Sequence, residues 1–193
     1  MSDKLKVLGV HFSPRRQGSS WIILEEFGKG VVDSGAEFST VSVAEANNLH
    51  GCQECGSCNV DGNCVIEDDM AIFYKAFEAV TRIVVSTPVF FYDIPAQGKA
   101  VIDRSQAYWA RRYVLGRHRE GLEGAQGFLL GVGATRGKDL FIPAALSVKY
   151  FFDALAFPKN FESLFFRKIE TPKALTKEQL QSARAAGAAF AKP

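Results

Sequence analysis

The sequence predicts an α/β fold, a doubly wound sheet of five parallel strands with helices on both faces. Apolar strand-like runs and helix-spaced segments alternate five times along the chain, as βα units feeding a parallel sheet do. The runs are short and continuous, which suits strands covered on both sides. A chain of 193 residues, 47% of them hydrophobic, is large enough for one packed core. No repeat, linker or low-complexity tract interrupts it, so residues 1–193 are read as a single domain.

Each element follows from its residues. Leu5–Val10 (LKVLGV) is an apolar run read as the first strand, and His11–Ser20 (HFSPRRQGSS) is the loop after it. Trp21, Leu24, Phe27 and Val31 recur at helical spacing and predict a helix over 21–32. Ala36–Val43 is the second strand. Residues 44–66 lack periodicity; so long an unstructured stretch in a compact domain is usually functional or disordered. The four cysteines inside it favour function, as an insertion into the domain. Glu67-Asp68-Asp69 opens the next helix with the acidic residues its dipole prefers, and the helix reaches Val80. Arg82–Thr87 (RIVVST) reads as the third strand, its β-branched core suited to the middle of a sheet. Pro95 fits the first turn of a helix extending to Tyr113. Gly98 inside that helix costs about 1 kcal/mol relative to alanine. Gln126–Val132 is the fourth strand, Ile142–Ala156 an amphipathic helix and Phe161–Arg167 the fifth strand. Thr176 and Gln179 make a capping-box pattern at the head of an Ala-rich terminal helix ending at Ala191.

Composition excludes some functions. The formal net charge is only +2, whereas a nucleic-acid partner demands a strongly basic face. No apolar run approaches the ~20 residues that a bilayer crossing needs. The polar start, with its short apolar run, lacks the features of an export signal. The expected setting is cytoplasmic and reducing, away from membranes.

All four cysteines fall within thirteen residues, Cys52, Cys55, Cys58 and Cys64, spaced C-x2-C-x2-C-x5-C among turn-forming Gly, Asn and Asp. Three thiolates two residues apart can line one concave loop, and a fourth can close it; ferredoxin-type loops hold a 4Fe–4S cluster that way. Structural zinc usually pairs two separate C-x2-C knuckles, and here the knuckles overlap at Cys55. Disulfides would require an oxidising compartment. Unmetallated thiols, including a redox sensor, are the remaining reading.

In a doubly wound sheet, ligands sit beyond the carboxyl ends of the strands where the strand order switches. The loops after the first, third and fourth strands therefore face one crevice. The first, Ser13 to Ser20, offers hydroxyls, a helix start and Arg15 to a phosphate, although it is neither a Walker loop nor G-x-G-x-x-G. Its plainer reading is a turn with an N-cap serine. The second, Thr87 to Pro95, is stiffened by two prolines and carries Phe90, Phe91 and Tyr92. A flat ring with polar edges would suit it; otherwise Phe90 and Phe91 simply close the core. The third, Gly131 to Lys138, joins permissive glycines to donors. His11 reads as structural, while His50 beside the cysteines is divided between packing and proton transfer. Arg111 to Arg119 is a local positive patch, read either as a solvated surface or as a dock for an acidic electron carrier or a dinucleotide phosphate.

Taken together, SPRRQGSS at 13–20, CVIEDDM at 64–70, TPVFFYDIPAQ at 87–97 and GVGATRGKDLF at 131–141 resemble the iron–sulfur flavoproteins of the NADPH-dependent FMN reductase family, on the flavodoxin-like fold. The resemblance runs from Leu5 to about Arg167. It implies an FMN whose phosphate is bound by Ser13, Arg15, Gly18, Ser19 and Ser20. The isoalloxazine would lie against Thr87, Pro88, Val89, Phe90, Phe91, Tyr92 and Asp93, with Ala134 and Thr135 from the third loop. It also implies a 4Fe–4S cluster on all four cysteines and a homodimer or homotetramer with flavins near subunit boundaries. The implied partners are an electron carrier such as ferredoxin or NAD(P)H and a small-molecule acceptor. No side chain need serve as catalytic acid or base, because the chemistry belongs to the cofactors. Two alternatives stand beside it: a cluster-free NAD(P)H-dependent FMN or quinone reductase, and a non-enzymatic redox or metal sensor.

Overall fold

A computed structural model describes residues 4–192. Strands β1 (Lys6–His11), β2 (Glu37–Ser42), β3 (Arg82–Pro88), β4 (Gln126–Val132) and β5 (Glu162–Phe166) form one parallel sheet in the order β2-β1-β3-β4-β5. That is the flavodoxin-like order, with its switch point between β1 and β3. Each strand lies within one residue of its sequence-based bounds. The helices are α1 (Ser19–Asp33), α2 (Cys58–Asp61), α3 (Met70–Glu78), α4 (Ala96–Arg104), α5 (Gln106–Trp109), α6 (Ile142–Ala154) and α7 (Lys177–Phe190). A π-helical turn at Ala110–Val114 and a 3-10 turn at Pro172–Ala174 complete the set.

The strands read as unbroken apolar runs because both faces of the sheet are covered. Val7 of β1 and Val84 of β3 join Ile23, Leu24 and Phe27 of α1 in one core. Leu8, Ile83 and Val85 point the other way, into a core with Phe73 and Phe77 of α3 and Phe151 and Phe152 of α6. Two glycines let α1 and α7 touch backbone to backbone. A Cβ on Gly30 would stand 1.9 Å from the Arg184 carbonyl, and one on Gly187 would stand 1.9 Å from that of Phe27. The end of α7 is fastened by Arg82 of β3, which donates to the carbonyls of Phe190 and Lys192. The expected Thr176–Gln179 capping box is present.

Three local departures from the sequence-based reading have physical causes. The expected helix from Pro95 to Tyr113 is broken after Arg104, where the buried Ser105 hydroxyl donates back to the Val101 carbonyl, a bond that bends helices. The helix before it starts at Met70 rather than Glu67. Its acidic residues reach backwards instead, with Asp69 accepting from the N–H groups of Asn47 and Asn48. Gly98, costly to a helix, is required here: a Cβ would lie 2.5 Å from Cβ of Phe12 and 2.8 Å from Ile94. Close seating of α4 on the end of β1 offsets its penalty.

Candidate functional site

The loop after β1 presents an open helix start. Gly18 is the N-cap residue of α1, and no side chain caps that helix, so its first N–H groups are available to an anion. Arg15 is exposed beside it, and Ser19 is half-buried. Ser13 is buried, and its hydroxyl accepts from the Arg15 N–H at 3.1 Å. Ser20 is buried as well, with its hydroxyl 3.0 Å from Nε2 of His11. Nδ1 of the same ring lies 2.9 Å from the Ser42 hydroxyl. Burial holds His11 down to about 4, so the ring is neutral and structural, as expected. The open donors of this loop are therefore backbone N–H groups, Ser19 and Arg15, while the Ser20 side chain is already engaged.

The aromatic loop continues β3. The Thr87 side chain has no exposed surface, and Val89 N–H donates to the Val132 carbonyl at 2.9 Å, holding Pro88 and Val89 against β4. Phe90 and Asp93 then exchange backbone hydrogen bonds at 2.8 and 3.0 Å around a two-residue turn. Both turn residues are left-handed, Phe91 at φ 50 and Tyr92 at φ 67. Phe90, Phe91 and Tyr92 are exposed, so the aromatic residues do not close the core. The Asp93 carboxylate accepts from the Ile94 N–H at 2.7 Å. In the loop after β4, Ala134 and Thr135 are exposed. This loop meets the aromatic one at Gly137, where a Cβ would fall 2.3 Å from the Tyr92 hydroxyl. All three loops leave adjacent strands at their carboxyl ends, on either side of the switch point.

The cysteines occupy a separate place. Cys52, Cys55, Cys58 and Cys64 are free thiols, and all four line one cavity of about 920 Å³. Ile102 to Ala107, Trp109, Tyr113 and the end of α6 form its other wall. The one-turn helix α2 carries Cys58 and is closed by Gly62 in the left-handed conformation. The Ser57 side chain and backbone hold the Cys55 thiol below its ordinary range, whereas burial and then the other three cysteines push Cys58 up. Among the described residues no three His, Cys, Asp or Glu gather as ligands of a single ion. Four cysteines lining one cavity are nonetheless the ligand type that an iron–sulfur cluster uses. A second observation fits such a guest. Arg104 lines the same cavity, and its buried Nε has no hydrogen-bond partner, a costly state that an anionic sulfur group would relieve.

The basic stretch stays partly exposed, with Arg117 and His118 on the surface, while its arginines are tied to groups elsewhere in the chain. Arg111 donates to the Gly62 carbonyl at 2.8 Å and to Asn63 at 2.9 Å, and pairs with Glu78. Arg112 binds Asp153, Arg117 donates to the Asp61 carbonyl at 2.6 Å, and Arg119 donates to the carbonyls of Phe77 and Val80. Sequence reasoning left these partners unseen, because the acceptors are mostly backbone carbonyls far along the chain.

Residues 5–163 match the NADPH-dependent FMN reductase family. The chain belongs to that family. Its members are flavin-dependent oxidoreductases, and the curated relatives place this chain on the iron–sulfur flavoprotein branch. One such relative, an iron–sulfur flavoprotein of Archaeoglobus fulgidus, is 32% identical over 143 residues, 73% of this chain and 69% of its own. The chain spans about half to two thirds of the length of other curated relatives it matches. Solved structures agree on the fold. An NAD(P)H:quinone oxidoreductase from Methanothermobacter marburgensis superposes with a TM-score of 0.74 at 16% identity, covering 99% of this chain and 98% of its own. A flavodoxin from the domain Archaea gives 0.57 at 12% identity, covering 97% and 96%. No helix among the described residues is long and apolar enough to cross a membrane.

Proposed function

We propose that this FMN reductase family member is an electron-transferring iron–sulfur flavoprotein: a single FMN-binding domain with a cluster-binding insertion at about 44–66. The observation that carries the reading is that all four cysteines, as free thiols, line one cavity. Cys52, Cys55, Cys58 and Cys64 would hold a 4Fe–4S cluster. Arg15, Ser19 and the N–H groups at the start of α1 would hold the FMN phosphate, with Ser13 and Gly18 shaping the loop and Ser20 braced by His11. Thr87 to Asp93, with Ala134 and Thr135, would flank the ring. When bound, the two groups would supply exchange between paired and single electrons. The chain's own part is to orient them, exclude water and set their potentials.

No residue of the three flavin loops lines the cysteine cavity. The proposal therefore includes a homo-oligomer in which the cluster of one subunit serves the flavin of its neighbour. A reduced carrier, ferredoxin-like or NAD(P)H, would deliver electrons, and a small molecule would accept them. Thiols kept as ligands call for a reducing, cytoplasmic setting. Anaerobic purification with iron, sulfide and FMN assays tests the reading. About four irons and four sulfides per FMN are expected. Flavin without iron after cluster reconstitution would instead identify a cluster-free reductase.

A further inference from the structure

Arg104, the last residue of α4, reaches into the neck of the cysteine segment. Its side chain and that of Asp68 have no exposed surface. Nη1 donates to the His50 carbonyl at 3.1 Å and to Oδ2 of Asp68 at 2.8 Å; Nη2 donates to the Ile66 carbonyl and to Oδ1 of Asp68, each at 3.1 Å. His50 lies two residues before Cys52, and Ile66 lies two after Cys64. One planar group thus pins both ends of the loop. Asp68 tightens the knot by accepting from the His50 N–H at 2.9 Å. The Tyr74 hydroxyl, 2.7 Å from the Arg104 carbonyl, fixes the helix end from which the guanidinium extends. At the far end of the loop, Arg111 holds Gly62 and Asn63.

A buried guanidinium is tolerable only with its charge paired and its donors used. Arg104 meets that condition at four of its five N–H groups, since Nε alone is left without an acceptor. Lysine could keep the charge but not the fork.

We propose that Arg104 is the positioning residue of the cluster site: it closes the cysteine loop before any metal arrives, and its buried charge pair with Asp68 sits at the neck of that loop. The inference rests on the cluster reading above. A loop closed beforehand spends less ordering entropy on loading, and the net charge beside a cluster sets its reduction potential.

The test uses Arg104→Gln, Arg104→Lys, Asp68→Asn and, at the far end of the loop, Arg111→Ala, prepared anaerobically. The first readout needs no metal: the rate at which iodoacetamide alkylates Cys64 in the apoprotein, followed by mass spectrometry. Both Arg104 variants should react about tenfold faster than wild type, lysine included, because the fork is lost in each. The second readout, after reconstitution, is the cluster midpoint potential. It should fall in Arg104→Gln, which leaves a carboxylate uncompensated, and rise in Asp68→Asn, which leaves a guanidinium. Wild-type alkylation in the Arg104 variants, or full restoration by lysine, would overturn the inference. So would potentials that move in the same direction in both variants. Should the Arg104 variants not fold, faster Cys64 alkylation in Asp68→Asn supports the closed loop, and wild-type rates in both Asp68→Asn and Arg111→Ala overturn it. A wild-type protein that takes up no iron defeats the cluster reading, while alkylation still decides whether Arg104 closes the loop.

Discussion

His11 stands between the Ser20 and Ser42 hydroxyls with no exposed surface, and its proton affinity sets a pH window. Burial lowers it from the ordinary 6.5 to about 4. As pH falls through 6.5 the unfolded chain takes up a proton that the folded chain refuses. Stability should therefore drop until about pH 4 and then level off, by on the order of 3 kcal/mol in all. Denaturant titrations across that range check this, and His11→Gln should flatten the slope; an unchanged slope would assign it elsewhere. Gly18 makes a different point. Its φ is −79, and a Cβ would meet Arg15 only at 3.5 Å, so the chain itself does not need glycine there. Gly18→Ala should lose only about 1 kcal/mol of stability, the N-cap cost of alanine, yet bind FMN about tenfold more weakly, roughly 1.4 kcal/mol. Equal FMN affinity by fluorescence titration would remove the phosphate from this loop. The residues that the sequence did not disclose are arginines. Arg82, Arg104 and Arg111 act on carbonyls 38 to 110 positions away, and a carbonyl leaves no mark in a side-chain pattern.

Among the elements, the aromatic turn carries the clearest strain. A two-residue turn with both centres left-handed normally uses Asn-Gly, yet Phe91 and Tyr92 occupy it here. Left-handed backbone costs an L-residue roughly 1–2 kcal/mol, and Phe91 gains no burial in return. Strain held without a packing reward points to a use for the exposed ring. Replacing the pair, Phe91→Asn with Tyr92→Gly, should stabilise the fold by about 1–2 kcal/mol in thermal melts while weakening FMN binding. Loss of stability would mean that the rings are packing residues after all. The loop stood out as a candidate site because two prolines bracket aromatics at a strand end, but its turn geometry was not legible. The one-turn helix α2 was equally hidden, since four residues cannot display a helical period. The break after Arg104 depends on a serine hydroxyl choosing a carbonyl over solvent, a choice made by burial rather than by sequence spacing.

At the scale of the molecule, the sheet order was readable because βα alternation and right-handed crossovers leave few topologies. The relation between the two candidate sites was not, because it depends on surfaces. Ile142, Leu146 and Tyr150 lie four residues apart on α6, each more than half exposed. At about 1.5 Å per residue the stripe covers roughly 12 Å. It starts beside the loop that follows β4 and ends at Tyr150, a residue of the cysteine cavity wall. In the proposed homo-oligomer, this apolar strip between two candidate sites that share no wall within one subunit is the place for a second copy, bringing its own flavin to this cavity. Leu146→Glu places a charge at the centre of the strip, where burial without a partner is prohibitive. Sedimentation should show wild type as a dimer or tetramer and Leu146→Glu as a monomer. The monomer should retain its iron and FMN but lose at least about tenfold in the rate at which a reduced carrier bleaches the flavin, the factor corresponding to 1.4 kcal/mol. A monomeric wild type with fast bleaching would place the whole electron path inside one chain and leave the strip without this purpose.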